Sequence, residues 1–132
     1  MILLDSNICI YLINKRPPEV LARFRQFGLG EIGISSVVAA ELAFGAAKSP
    51  SSVRNRHALE VFFAPLEILP FDEAAVWAYG DLRADLERRG ESIGSLDTMI
   101  AAHALSLNAV LVTNNAREFA KVKGLKLDNW VG

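Results

Sequence analysis

Cysteine is almost missing: Cys9 is the one thiol in 132 residues. That excludes an internal disulfide and a cysteine-rich zinc site, and it fits a reducing compartment. Histidine is nearly as scarce. His57 and His103 lie far apart in sequence, and each reads as structural. No apolar run approaches the roughly 20 residues of a membrane span. The N-terminus, MILLDSN, has no basic region ahead of its apolar stretch and no cleavage site, so no signal peptide is expected. The chain is expected to be soluble and cytoplasmic. A basic surplus is missing too: 14 Lys and Arg face 15 Asp and Glu, a net charge of -1. A protein that binds nucleic acid by bulk charge is clearly basic. Any such function here needs local basic patches or a bridging cation.

What the chain has in quantity is apolar side chains, 52% of all residues. That exceeds the usual share and suits either one large core or a core plus an oligomer interface. The length fits a single domain spanning residues 1–132. No internal repeat or low-complexity segment is visible. Short apolar runs alternate with helical patterns. Strands are expected at Met1–Leu4, Ile32–Ser35, Leu66–Leu69 and Val110–Thr113, with a last edge strand at Leu125–Leu127. Helices are expected at Ser6–Asn14 and Pro18–Phe27, then from a cap at Ser35 or Ser36 to near Pro50, and at Ser52–Phe63. Further helices are expected from a cap at Asp72 to Arg89, from Ser95 onward, and at Asn115–Phe119. In the Asp72 helix, Ala75, Val76, Tyr79, Leu82 and Leu86 are placed on the inner side. Trp77, Tyr79 and most phenylalanines are assigned to the core, and Trp130 to a sheet edge or interface. Strands separated by helices predict an α/β fold with a mainly parallel sheet covered on both faces. In such folds ligands bind beyond the carboxyl ends of the strands. Asp5 and the pair Asn114 and Asn115 should lie on that edge.

Three acids sit in apolar surroundings. Asp5 follows Met-Ile-Leu-Leu, and Glu41 lies inside VVAAELAF. Asp97 shares a helical stripe with Ile100, Ala101, Ala104 and Leu105. A buried charge without a partner is costly, and no basic residue is near any of the three in sequence. A divalent cation would remove their mutual repulsion, and carboxylate oxygens suit magnesium or manganese. Simpler roles compete. Asp5 can cap the helix that starts at Ser6. Asp97 lies in a first turn, where the helix dipole favours an acid. Glu41, in mid-helix, has no capping role, though it could belong to a narrow polar stripe.

Four segments carry a family resemblance: LLDSNICIYLI, ISSVVAAELAFGAAKS, IGSLDTMIAAHA and LVTNNAREFAKVKGL. In this order and spacing they resemble the PIN-domain nucleases, and within them the VapC-type toxins of bacterial toxin–antitoxin pairs. The resemblance spans nearly the whole chain. It implies a three-layer α/β/α domain and a Mg2+-dependent endoribonuclease, with Mn2+ as a substitute ion. It assigns Asp5, Glu41 and Asp97 to metal binding and catalysis, with Ser6 where the family usually has threonine, Asn7 after it, and Thr113 and Asn114 in the strand-end motif. At Asn115 many members carry a fourth acid, so here a second ion has one charge fewer to hold it; Asn115 can still ligate through its carbonyl, and Glu118 stands one helical turn on.

The implied reaction is hydrolysis of an RNA phosphodiester, leaving a 5′-phosphate, with tRNA and its anticodon loop as the expected substrate. Arg117 and Lys121, beside the strand-end motif, are the best-placed candidates for RNA contact. The other basic residues, among them Arg83, Arg88 and Arg89, read better as solvated helix faces. The implied partners are a VapB-type antitoxin and a second copy of the chain. Two rival classes fit less well. An aspartate-nucleophile phosphohydrolase needs a second aspartate two residues after the first, where this chain has Asn7. A receiver-like domain needs an acidic pair at the end of its first strand. The remaining alternative is a catalytically silent PIN-like module that binds RNA or protein. Such a module is expected to have lost an acid, and this chain keeps all three.

Overall fold

The computed structural model describes residues 1–132. Five strands form one sheet in the order β3-β2-β1-β4-β5. They are β1 (Ile2–Leu4), β2 (Ile32–Ser35), β3 (Glu67–Leu69), β4 (Val110–Val112) and β5 (Lys126–Asp128). Every neighbouring pair is parallel. The helices are α1 (Ser6–Asn14), α2 (Pro18–Phe24), α3 (Ser36–Lys48), α4 (Ser52–Phe63), α5 (Glu73–Arg88), α6 (Ser95–Ser106) and α7 (Ala116–Phe119). A single 3-10 turn, Leu29–Glu31, leads into β2. The architecture is the expected α/β/α stack, and the sheet is wholly parallel. No helix is long and apolar enough to cross a membrane.

The sequence pattern explains the layering. A parallel sheet is covered on both faces, so its central strands are apolar on both sides. Accordingly Leu3, Leu4, Ile32, Ile34, Leu111 and Val112 are all buried. The edge strand β3 shows the opposite: Glu67 and Ile68 are exposed. Ser35 caps α3 by accepting a hydrogen bond from the Val37 amide at 3.1 Å. Asp72 caps α5 through the Ala75 amide at 3.1 Å. His103 is buried, its Nδ1 2.8 Å from the Ser35 hydroxyl, and burial holds its imidazole below the usual range. Cys9 is a buried apolar filler whose thiol burial pushes well above its ordinary range.

Several local expectations are corrected. Helix α2 stops at Phe24, because Phe27 leaves the helical path to stack on Trp130, with ring centroids 5.7 Å apart. Trp130 is itself buried, 2% exposed, with the Arg23 guanidinium of α2 5.9 Å from its ring centroid. The last strand begins one residue later than expected, at Lys126, in the register that pairs Leu127 with Leu111 and Asp128 with Val112. On α5 the buried line is Ala75, Leu82 and Leu86. Val76, one position and therefore about 100° around the helix, is 52% exposed. Trp77 is 68% exposed and Phe44 66% exposed. Neither belongs to the core.

The strand order places a crevice at one point. From β1 the chain moves to β2 and β3 on one side, then crosses to β4 and β5 on the other. The carboxyl ends of β1 and β4, side by side, form the topological switch point where ligands bind in such sheets.

Candidate active site

Asp5 closes β1 at this switch point and is only 6% exposed. Its backbone amide still belongs to the sheet, donating to the Val112 carbonyl at 2.9 Å. Its side chain caps α1, with Oδ1 accepting from the Ser6 amide at 2.8 Å. The other oxygen, Oδ2, accepts from the Thr113 hydroxyl at 2.7 Å. Capping and site membership are therefore not alternatives, since one carboxylate does both. Thr113, buried at the end of β4, has its own hydroxyl oriented by the Asn115 amide, which donates to it at 2.9 Å. The bonds to Asp5 are charge-assisted and hold one rotamer.

Glu41 arrives from the middle of α3 and is half-buried. The Ser6 hydroxyl donates to its Oε1 at 3.1 Å. A chain of hydrogen bonds thus runs from Thr113 through Asp5 and Ser6 to Glu41, tying β4, β1, α1 and α3 together. Asp97 enters from the first turn of α6. Its carboxyl is pushed up to about 6, first by burial and then by the charges of Asp5, Glu41 and Glu118. The helix dipole at this position works the other way, by typically 0.3–1 kcal/mol.

Four acids from four elements therefore share the carboxyl edge of the sheet, where Asp5, Glu41 and Glu118 all act on Asp97. Three of them are the residues singled out from the sequence. The fourth is Glu118 on α7, whose carboxylate lies 3.4 Å from the Lys121 ammonium. Its sequence signal is its place three residues after Asn115. Asn115 itself is exposed and joins the site through its backbone amide. Asn7 is exposed on α1, in a cleft that it lines with Ser6 and Glu41. Asn114 donates to the Tyr11 hydroxyl at 3.3 Å and accepts from the Asn129 amide at 3.3 Å. Asn129 lies outside the motif segments, and Tyr11 lies inside the first of them but has no role there that the sequence reveals. Arg117 is exposed at the start of α7. Lys121 is half-buried and its charge is turned to Glu118.

The donor set is all oxygen, without histidine or cysteine, which suits a hard divalent cation. No three of these groups meet closely enough to hold an ion by themselves. A hard cation that takes only one or two protein carboxylates and keeps several waters needs no such cluster.

The PIN-domain profile matches residues 2–125. Ribonuclease VapC2 of Rickettsia felis is 43% identical over 129 residues, covering 97% of this chain and 96% of that one. The tRNA(fMet)-specific endonuclease VapC of Shigella flexneri is 43% identical over 128 residues, covering 97% and 96%. The crystal structure of VapBC2 from Rickettsia felis, bound to a DNA fragment from its promoter, superposes with a TM-score of 0.92 at 42% identity, over 99% of this chain and 100% of that one. The sheet order, the acids at its switch point and these likenesses agree: the chain belongs to the PIN-domain family, in its VapC ribonuclease branch.

Proposed function

We propose that this protein is a metal-dependent endoribonuclease toxin that cuts tRNA, in the anticodon region, and is neutralised by a VapB-type antitoxin. The observation that carries the reading is the hydrogen-bonded chain from Thr113 through Asp5 and Ser6 to Glu41 at the β1–β4 switch point, with Asp97 near enough to feel the charges of Asp5 and Glu41. The name of the Shigella relative supports tRNA as the substrate, and the VapBC complexes support the antitoxin.

When bound at these acids, a divalent cation, magnesium or in its place manganese, supplies polarisation of the phosphodiester and offsets the carboxylate repulsion. Asp5 and Asp97 would be its direct ligands, Asp5 held in one rotamer by Thr113 and the Ser6 amide. Glu41, held by the Ser6 hydroxyl, takes the proton of the attacking water. That water attacks phosphorus, the bond to the 3′ oxygen breaks, the leaving 3′ oxygen takes a proton from solvent, and the products are a 5′-phosphate and a 3′-hydroxyl. No 2′-hydroxyl nucleophile is needed. Asn115 supplies an uncharged side chain where many relatives carry a fourth acid, Asn7 borders the cleft with Glu41, and Asn114 is held by Tyr11 and Asn129. Arg117 is placed to meet phosphate. One apolar hollow, with Val37, Phe44, Leu96 and Met99, adjoins Glu41, and a second, with Ala46, Val53, Leu59 and Phe63, lies between α3 and α4. They offer surfaces to the antitoxin and to a second copy of the chain. A tRNA substrate places the activity in the cytoplasm.

The test is incubation of the protein and its Asp5→Ala variant with total tRNA, in magnesium and in excess EDTA. Discrete fragments are expected only from wild type with magnesium. If wild type with magnesium or manganese leaves tRNA, rRNA and mRNA intact, the catalytic reading fails and the silent binding module takes its place.

A further inference from the structure

Arg89 follows the last residue of α5 and its side chain is only 19% exposed. Its guanidinium is used on three sides. Nε donates to Asp85 at 2.9 Å, Nη1 to Glu91 at 2.7 Å, and Nη2 to the Lys121 backbone carbonyl at 2.8 Å. The first two partners flank it in sequence, whereas the third is 32 residues away. Neighbouring Arg88 shows what an ordinary arginine does here: it is exposed and reaches only Asp85, at 3.8 Å.

The far end of the Arg89 bridge matters because of what lies beside it. Helix α7 has four residues, far short of the roughly 12–15 that let a helix persist unaided. Its position is set from outside. Phe119 fixes its inner side by burial, and Arg89 holds the turn that follows it. That turn is bonded back into α7, since the Lys121 amide donates to the Glu118 carbonyl at 3.3 Å. The other end of α7 is bonded to the site itself, its capping Asn115 amide donating to the Thr113 hydroxyl at 2.9 Å and that hydroxyl to Asp5 at 2.7 Å, and Glu118 is the α7 acid whose charge acts on Asp97. Asp97 rides on α6, and α6 packs along α5. The bridge therefore runs between the α5–α6 pair that carries Asp97 and the short helix that carries Glu118.

We infer that Arg89 is a positioning residue for the acidic site, clamping the α7 turn to the end of α5 and thereby setting Glu118 against Asp97. A planar fork of five donors can serve three partners at once, and a lysine ammonium on a flexible stem cannot reproduce that geometry. The catalytic meaning of the clamp rests on the ribonuclease reading, but its effect on cation binding does not.

The test compares wild type with Arg89→Gln, Arg89→Lys and, as a charge-matched control on the same helix, Arg83→Gln. Arg83 pairs only within α5, with Glu87 and Tyr79. Mn2+ affinity is measured by electron paramagnetic resonance on the free protein, with melting temperature alongside. The Mg2+ concentration for half-maximal tRNA cleavage is measured separately. Arg89→Gln is expected to weaken Mn2+ binding by about 10-fold, the low end for partners that orient metal ligands, and to raise the Mg2+ requirement in parallel. Arg89→Lys should fold and recover only part of the affinity, and Arg83→Gln should match wild type. A lower melting temperature with unchanged Mn2+ affinity in Arg89→Gln, or full affinity in Arg89→Lys if the glutamine variant does not fold, overturns the inference. Wild type that binds Mn2+ but cuts no RNA defeats the ribonuclease reading and leaves the clamp to be judged on Mn2+ binding alone. Wild type that binds no Mn2+ defeats both.

Discussion

Asp97 carries the electrostatic tension of the site. An isolated aspartate titrates near 3.9, whereas here the carboxyl is pushed up to about 6 by burial and by three neighbouring acids. A raised folded-state value makes the ionised form unfavourable to folding. The contribution of Asp97 to stability is complete below the unfolded value and is lost as pH rises through about 6. The Asp97→Asn variant keeps the shape without the charge. In EDTA it should melt above wild type at pH 7.5, with the gap closing as pH falls and disappearing below about pH 4. Magnesium should narrow the gap at pH 7.5 by stabilising wild type alone. A gap that does not change with pH would remove the repulsion argument.

Helix α3 is the element that delivers Glu41, and its start depends on Ser35. That hydroxyl caps the Val37 amide and also meets the buried His103 ring on α6. Replacing Ser35 with alanine removes a cap, worth about 1 kcal/mol. It also orphans a buried ring nitrogen, worth about 1–3 kcal/mol. Ser35→Ala should therefore lose about 2–4 kcal/mol in urea unfolding, with cleavage reduced because Glu41 loses its fixed approach. A loss under 0.5 kcal/mol would mean that water replaces the hydroxyl in both bonds. The same element shows how local reading works and where it stops. Ser35 lies before an apolar helical run, so the cap is visible in sequence. That it also touches His103, 68 residues away, is not.

At the scale of the molecule, the surface keeps an apolar load that the core does not absorb. Phe44, Trp77 and Leu96 stand exposed, although aromatic and aliphatic side chains of this size are normally among the more buried. Covering such surface is the usual work of a symmetric interface. Sedimentation equilibrium of the toxin without its antitoxin should give a mass twice the 14.4 kDa of one chain. A value equal to one chain at micromolar concentration would assign the apolar surface to the antitoxin alone.

Much of the protein is decided locally and can be read from the sequence. Parallel strands buried on both faces must be continuous apolar runs, so β1, β2 and β4 announce themselves. Caps at Ser35 and Asp72 and the proline pair before α2 mark helix starts by backbone chemistry alone. Asp5, Glu41 and Asp97 stand out because a charge inside an apolar pattern conflicts with burial. Other features depend on which distant elements meet. Val76 and Trp77 look like core in a list of apolar residues, yet the side of α5 that packs on its neighbours turns them outward. Phe27 leaves its helix for a ring 103 positions further along. The register of β5 follows from pairing with β4, not from its own composition. The nearness of Glu118 to Asp97, the Thr113 bond to Asp5 and the reach of Arg89 to Lys121 exist only because the chain crosses the sheet between β1 and β4. Hydrophobic periodicity and capping act within a few residues, so one segment reveals them. Register, facing and charge proximity are set by closure of the whole sheet, so only the tertiary structure decides them.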